Sequence, residues 1–408
     1  MTTTHQPNIG ALFDPATRPD PYPLFTQLRD AGPFAILDGA ITVLGTHERC
    51  MTILRDTSFS SDRSRTLLPR RFDQPERSDD RGRVSFLSLD PPDHTRLRRL
   101  VAKAFTPRVI AGLEPRIRAL VTELFGAFAE RGRFDVVAEL AYPLPVRIIC
   151  ELLGVPVSDH VRFEGWSRLL VRGLDPAMAL TDPAEMAEIM AAQNELTDYF
   201  HDLIATRRST PGDDLLSRLI AIEERGDQLT EPELVSTCVL LLVAGHETTA
   251  NLIANGILAL LRHPDQLAAL RADPALIGGT VEEILRYDPP VQLTTRVVRR
   301  PTQFGDVTAP TDGVLLLLLA AANRDPAVFA DPDRFDITRD AHQHVSFAAG
   351  AHFCLGAPLA RLEASLALSA FADRVVEPVL DKDSLRYRPH VNLRGPEHME
   401  VAFSRLVS

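Results

Sequence analysis

The residues best suited to chemistry lie in one window: His344-Val-Ser-Phe347-Ala-Ala-Gly350-Ala-His352-Phe-Cys354-Leu-Gly356-Ala-Pro358-Leu-Ala-Arg361. Cys354 directly precedes an apolar helical pattern with Pro358 in its first turn, so helix-start N–H groups and the helix dipole converge on the sulfur. Such donors favour a thiolate, the form a metal ligand or nucleophile must take. Gly350 permits a tight turn, and Gly356 lets backbone approach the sulfur closely. A lone cysteine is more commonly a buried structural residue; Cys50, Cys150 and Cys238 lack such surroundings and are read that way. A cysteine hydrolase pairing Cys354 with His352 is geometrically open, because residues two apart in an extended loop point the same way. No oxyanion donor or orienting partner for it is evident.

Three other constellations accompany this window. Ala244-Gly245-His246-Glu247-Thr248-Thr249 places a glycine, an acid and an alcohol in the middle of a long apolar helical pattern. Glycine there costs about 1 kcal/mol relative to alanine, so it needs a local reason: a helix-packing notch, or open space beside Thr248, whose hydroxyl would bend the helix. In Asp90-Pro-Pro-Asp-His94-Thr-Arg-Leu-Arg98, His94 and Arg98 fall four apart on one helical face, placed for an anion or simply a solvated basic face. Glu283-Ile-Leu-Arg286 is an acid–arginine pair three apart, and Thr280 with Glu283 reads as a capping box.

Phe347, Gly350, His352, Cys354 and Gly356 fill the pattern F-x-x-G-x-[HR]-x-C-x-G in full. This window resembles the haem-binding loop of the cytochromes P450, and the chain as a whole resembles their soluble bacterial members. The resemblance implies a mainly α fold with small β-sheets, the triangular haem-thiolate fold with a long central helix. It forms one domain over 1–408, with a flexible substrate-side flap at 57–88 and the cysteine haem loop at 344–356. Cys354 would be the axial ligand of the iron of haem b, shielded by Phe347, and a thiolate ligand favours O–O cleavage. His94, Arg98, Arg296 and His352 would hold the haem propionates. Ala244, Gly245, Glu247 and Thr248 match [AG]-G-x-[DE]-T, where the small residues leave room for O2 and the pair organises water and relays protons. Glu283 and Arg286 would form a buried ion-pair network with Arg334, and Asn323-Arg324-Asp325-Pro326 matches the family there. Leu240, Val243, Val291 and Leu293 would line the substrate pocket, near Val391.

The implied activity is reductive activation of O2 and insertion of one oxygen atom into a C–H or C=C bond of a small hydrophobic molecule, natural-product or lipid-like. Electrons from NAD(P)H would arrive through a separate ferredoxin or flavodoxin. Two rivals are a haem-thiolate gas sensor or electron carrier, which would not need Glu247 and Thr248, and a peroxide-driven peroxygenase, whose members tend to carry Arg-Pro in place of the acid–alcohol pair.

The elements that must position these residues follow from periodicity. Apolar residues recur at helical spacing over 109–129, 184–207, 231–262 and 358–373. Thr230 with Glu233 forms a capping box for the third of these, with Pro232 in its first turn and His263-Pro264 as its stop. Some 32 residues at ~1.5 Å each span about 48 Å, enough to cross the molecule. Short β-like runs fall at 34–36, 41–44, 291–298 and 314–319. The stretch 57–83 is long, polar and Arg-rich, with Arg63, Arg65, Arg70, Arg71, Arg77, Arg81 and Arg83 alongside Asp73, Glu76, Asp79 and Asp80. It is either a solvated mixed-charge loop or a lid for an anionic or carrier-linked substrate.

The 408 residues are 45% hydrophobic and 24% charged, which excludes disorder and coiled-coil readings. A net charge of −11 argues against nucleic-acid or anionic-membrane partners, and four Cys without a CxxC pair argue against a disulfide or zinc scaffold. The start of the chain has no secretory pattern and the longest apolar run is nine residues, 314–322; a cytoplasmic monomer away from membranes is expected. Between His94 and Arg118 seven basic residues face Glu114 alone, a basic patch suited to an acidic electron donor.

Overall fold

Thr230 accepts from the backbone of Glu233 while Glu233 accepts from the backbone of Thr230, and the helix that follows, Glu231–Arg262, has the expected 32 residues. His263 ends it and Pro264 begins the next helix, Pro264–Ala272. By length and hydropathy this central helix could span a bilayer. It lies instead inside the protein, packed by Pro143–Leu152, His160–Arg172, Pro183–Ser209, Ile277–Tyr287 and Ala357–Arg374, which is why it is apolar around most of its circumference. A Cβ at Gly256 would meet Ile284 Cδ1 at 2.8 Å and Leu368 Cδ2 at 3.0 Å, so that glycine is a true packing notch between three helices.

The computed structural model describes residues 8–67, 85–103, 105–172, 183–222 and 229–407. It is a mainly α fold with small sheets. Most of the 57–88 flap, including Arg70, Arg71, Arg77, Arg81 and Arg83, lies outside the described residues, as does 173–182. The expected helices appear as Pro107–Phe128, Pro183–Ser209, Glu231–Arg262 and Ala357–Arg374. One four-stranded sheet orders Phe34–Ile36, Ile41–Leu44, Val314–Leu317 and Thr294–Val297, with Ile41 opposite Val314 in parallel and Thr294 opposite Leu317 antiparallel.

Two strands are shorter than their apolar runs. Leu319–Ala322 turns into a helix, and 291–293 pair with the C-terminal loop through a Val291–Leu393 bridge and a Gln292 N–H to Asn392 carbonyl bond of 2.8 Å. That loop joins Arg386–Tyr387 to Pro396–His398. The capping box expected at Thr280 is absent: the helix Ile277–Tyr287 starts three residues earlier, so Thr280 is interior and its hydroxyl donates to the Leu276 carbonyl at 2.9 Å.

Candidate active site

Along the central helix Leu241, Leu242, Val243, His246, Glu247, Thr249 and Ala250 are buried, yet Ala244 and Gly245 are exposed and Thr248 partly so. Exposure in the middle of a core helix means an internal hollow beside those three residues. A Cβ at Gly245 would meet only Ile149, at an ordinary 3.6 Å. No packing notch requires this glycine, so the open space is its reason. The Thr248 hydroxyl donates to the Ala244 carbonyl at 3.0 Å and Thr249 to Gly245 at 3.1 Å. Each bond draws a helix carbonyl off axis, and the first leaves the Thr248 oxygen free to accept a hydrogen bond.

Glu247 points away from the hollow and is 1% exposed. It forms an ion pair with Arg388 of the C-terminal hairpin, and its other oxygen lies 3.7 Å from His246 Nε2. His246 is buried and held neutral by burial; its Nδ1 donates to the Leu242 carbonyl at 2.6 Å, and Ser167 Oγ lies 2.8 Å from Nε2.

Cys354 is the exposed cysteine; Cys50, Cys150 and Cys238 are buried, and burial pushes each of those thiols up to about 12. The Cys354 N–H donates to the Phe347 carbonyl at 2.9 Å. Cys354 is exposed by surface area but ringed by protein, and this desolvation raises its thiol pKa, while the N–H groups of Gly356 and Ala357 and the guanidiniums of Arg98 and Arg361 act to lower it. These donors favour the thiolate, the form in which Cys354 would ligate a metal. Gly350 has φ +68°, and a Cβ there would strike the Leu54 carbonyl at 2.6 Å, so the loop demands glycine. At Gly356 nothing lies within 4 Å of a Cβ, so, contrary to expectation, no protein contact requires it.

Arg98, whose charge acts on Cys354, also borders a cluster of bases. His94 is 1% exposed and neither ring nitrogen has a partner. Its ring centroid lies 3.9 Å from that of His352, whose Nε2 meets Ser61 Oγ at 3.0 Å. Burial, then His94 and Arg296, depress His352 to about 3, and burial with Arg63 lowers buried Arg296 to about 10. Arg98 donates to the Phe353 carbonyl, and Arg296 to the Thr295 carbonyl at 2.8 Å. The nearby carboxylate, Asp90, is committed to Ser60, Ser61 and Arg299. Among the described residues, no carboxylate forms an ion pair with any of these four basic groups, an arrangement that fits a ligand carrying carboxylates. The contacts of His352 are thus with Ser61 and His94, and neither supplies the carboxylate or amide that would orient it as a base for Cys354.

Residues 39–374 match the family model described as cytochrome P450. Cytochrome P450 107B1 of Saccharopolyspora erythraea is 42% identical over 98% of this chain and 99% of its own length. The vitamin D(3) 25-hydroxylase of Pseudonocardia autotrophica is 42% identical over 96% of this chain and 95% of its own. The ligand-free crystal structure of Mycobacterium smegmatis CYP164A2 superposes with TM-score 0.88 at 49% identity, covering 96% of this chain and 98% of that one. The chain is a cytochrome P450. Its fold is that of the family, its activity is oxidoreductase chemistry of the monooxygenase type, and the family's cofactor is haem, used with O2 and reducing equivalents.

In this P450 Glu283 and Arg286 are fully buried and bonded twice, Nε to Oε2 and Nη2 to Oε1, each at 2.7 Å. The third arginine is a correction. Arg334 holds its side chain 64% exposed, 3.5 Å from Asp336. Only its carbonyl joins the network, accepting from Arg286 Nη2 at 3.1 Å. Arg339, five residues on, reaches back to Glu283 at 3.4 Å. Asn323 ties this network to the cysteine loop through Ser346 Oγ at 2.7 Å and the Val345 N–H at 2.8 Å.

Of the expected pocket residues, Leu240 and Val291 are partly buried and Val243 is buried at 8% exposure. Leu293 is buried in a cluster with Leu12, Tyr22, Phe25 and Val391. Sequence reasoning missed Arg388, Arg339 and Glu282. Each acts across tens of residues, and nothing local marks it.

Proposed function

We propose that this P450 inserts one atom of O2 into a C–H or C=C bond of a small hydrophobic natural-product or lipid-like molecule. Cys354 would ligate haem b, whose propionates His94, Arg98, Arg296 and His352 would receive. When bound, the haem supplies an iron on which O2 is reduced and split, with the thiolate's electron donation assisting. The observation that supports this most directly is the cluster of His94, Arg98, Arg296 and His352, in which Arg98 acts on both histidines and on the exposed cysteine. Among the relatives, one is named a vitamin D(3) 25-hydroxylase and another a 6-deoxyerythronolide B hydroxylase, which supports this reading. The hollow beside Thr248 and the retained Glu247 disfavour a gas sensor, an electron carrier or a peroxide-driven enzyme. The test is a screen of macrolactones, terpenoids, steroids and fatty acids for low-to-high spin shifts, followed by product analysis. Spin shifts without oxygenated product on reduction in O2 would sink the reading.

Thr248 and Glu247 would deliver protons. The Thr248 oxygen would accept a hydrogen bond from water in the hollow, and Glu247 would exchange protons once its ion pair with Arg388 opens. Positioned proton transfer contributes about 10²–10⁴-fold, so Thr248→Ala is expected to keep haem and substrate binding but to lose roughly tenfold or more in product per NAD(P)H. Unchanged coupling would reduce Thr248 to a packing residue.

Electrons would come from NAD(P)H through a separate ferredoxin or flavodoxin, to a cytoplasmic monomer. The basic patch is smaller than composition suggests. Arg96 pairs with Glu233, Arg116 with Glu151 and Arg118 with Glu114, whereas Arg99 and Arg108 are exposed. Steering of this kind raises encounter rates by about 10–10³-fold at low salt. Reduction by an acidic donor is expected to slow roughly tenfold from low to high ionic strength, and further in Arg99→Glu, with substrate spin shifts intact. Stopped-flow rates indifferent to both would move the docking site elsewhere.

A further inference from the structure

A charged assembly behind the cysteine loop has no part in the readings above. Glu282, 4% exposed, accepts twice from Arg361, from Nε at 2.6 Å and from Nη2 at 2.9 Å. Its Oε2 also lies 3.1 Å from His344 Nε2 and 3.5 Å from His342 Nδ1. Burial pushes the Glu282 carboxyl up, but Arg361 and His344 outweigh it and hold it at about 2. Glu282 is therefore charged at neutral pH, and its two bonds fix the planar guanidinium in one place. That place is over the ring of Phe347, 4.6 Å from the centroid. The Phe347 carbonyl in turn receives the Cys354 N–H. Arg361 stands seven residues after Cys354, on the helix that begins at Ala357, and its charge favours the Cys354 thiolate.

We propose that Arg361, pinned by Glu282 against Phe347, is a positioning residue that sets the electrostatic environment of Cys354 and so the reduction potential of the iron it ligates. The proposal rests on the reading of Cys354 as axial ligand. Charge and hydrogen bonding around a ligating sulfur tune its metal without touching it. A cation near the iron favours the added electron, and an anion opposes it. The two partners must therefore act with opposite signs, which a purely structural clamp would not do.

The experiment is a redox titration of the substrate-free holoenzyme, followed through the Soret band, with the ferrous–CO band as a check on thiolate ligation. Arg361→Gln is expected to lower the ferric/ferrous potential and Glu282→Gln to raise it. Each moves the reduction equilibrium roughly two- to five-fold, because Arg361 is a third exposed and solvent screens its charge. Arg361→Lys keeps the charge and returns toward wild type, and serves if Arg361→Gln loads haem poorly. Shifts of the same sign in both single variants, or no shift with the thiolate band retained, overturn the proposal alone. A wild-type protein without the thiolate band overturns the ligand reading, and the proposal with it.

Discussion

Cys354→Ser and Cys354→Ala are expected to lose the red-shifted ferrous–CO band completely, and with it all detectable oxygenation. Sulfur is the atom that receives the Gly356 and Ala357 N–H groups and faces Arg98 and Arg361. Serine offers an oxygen of much higher pKa and no comparable donation to iron. The basic cluster of His94, Arg98, Arg296 and His352 is untouched by either change, so haem uptake should persist in part. Measured together, haem content and the CO spectrum separate loss of the ligand from loss of the fold. A normal CO spectrum in both variants would remove the foundation of the functional reading.

The largest effect on stability is expected at the buried ion pair. Arg286 is among the largest fully buried side chains, and its bonds reach Glu283 and the carbonyls of Asn323, Pro332 and Arg334. Removing one partner of a buried pair costs about 3–5 kcal/mol, against a total of roughly 5–15 kcal/mol for a folded protein. Glu283→Ala and Arg286→Leu should therefore give little haem-loaded protein, with a steep fall in Tm for whatever remains. Arg334→Ala should stay within about 0.5 kcal/mol of wild type, because its exposed side chain contributes nothing to the network. Arg339→Ala should fall between them. If Arg334→Ala were as damaging as Arg286→Leu, the assignment of the third arginine would be reversed.

The contrast between Arg334 and Arg339 marks how far sequence reading reaches. Both arginines lie in the same loop, and a pattern match prefers the first. In the fold the first is exposed beside Asp336, and the second folds back onto Glu283. Pattern matching assigns positions along the chain, and tertiary structure decides which side chain arrives. The same holds for Thr280, whose capping role vanishes once the helix starts three residues earlier.

What the sequence determined by itself is local or periodic. The 32-residue central helix is written in its cap, its stop and its apolar period, and the strands at Phe34–Ile36 and Ile41–Leu44 match their β-like runs residue for residue. The cysteine loop is legible because ligand, turn glycine and helix start fall within one short window, where neighbours in sequence are neighbours in space. Tertiary structure alone decided the pairings that cross the chain. Arg388 meets Glu247 across 141 positions, Arg361 meets Glu282 across 79, and His94 stacks on His352 from a distant helix. It also decided that Gly256 is a packing notch while Gly245 borders a hollow. The physical reason is the same in each case. Burial makes an unpaired charge costly and an unfilled volume rare, and which partner or atom meets that demand depends on where the packed elements bring distant side chains.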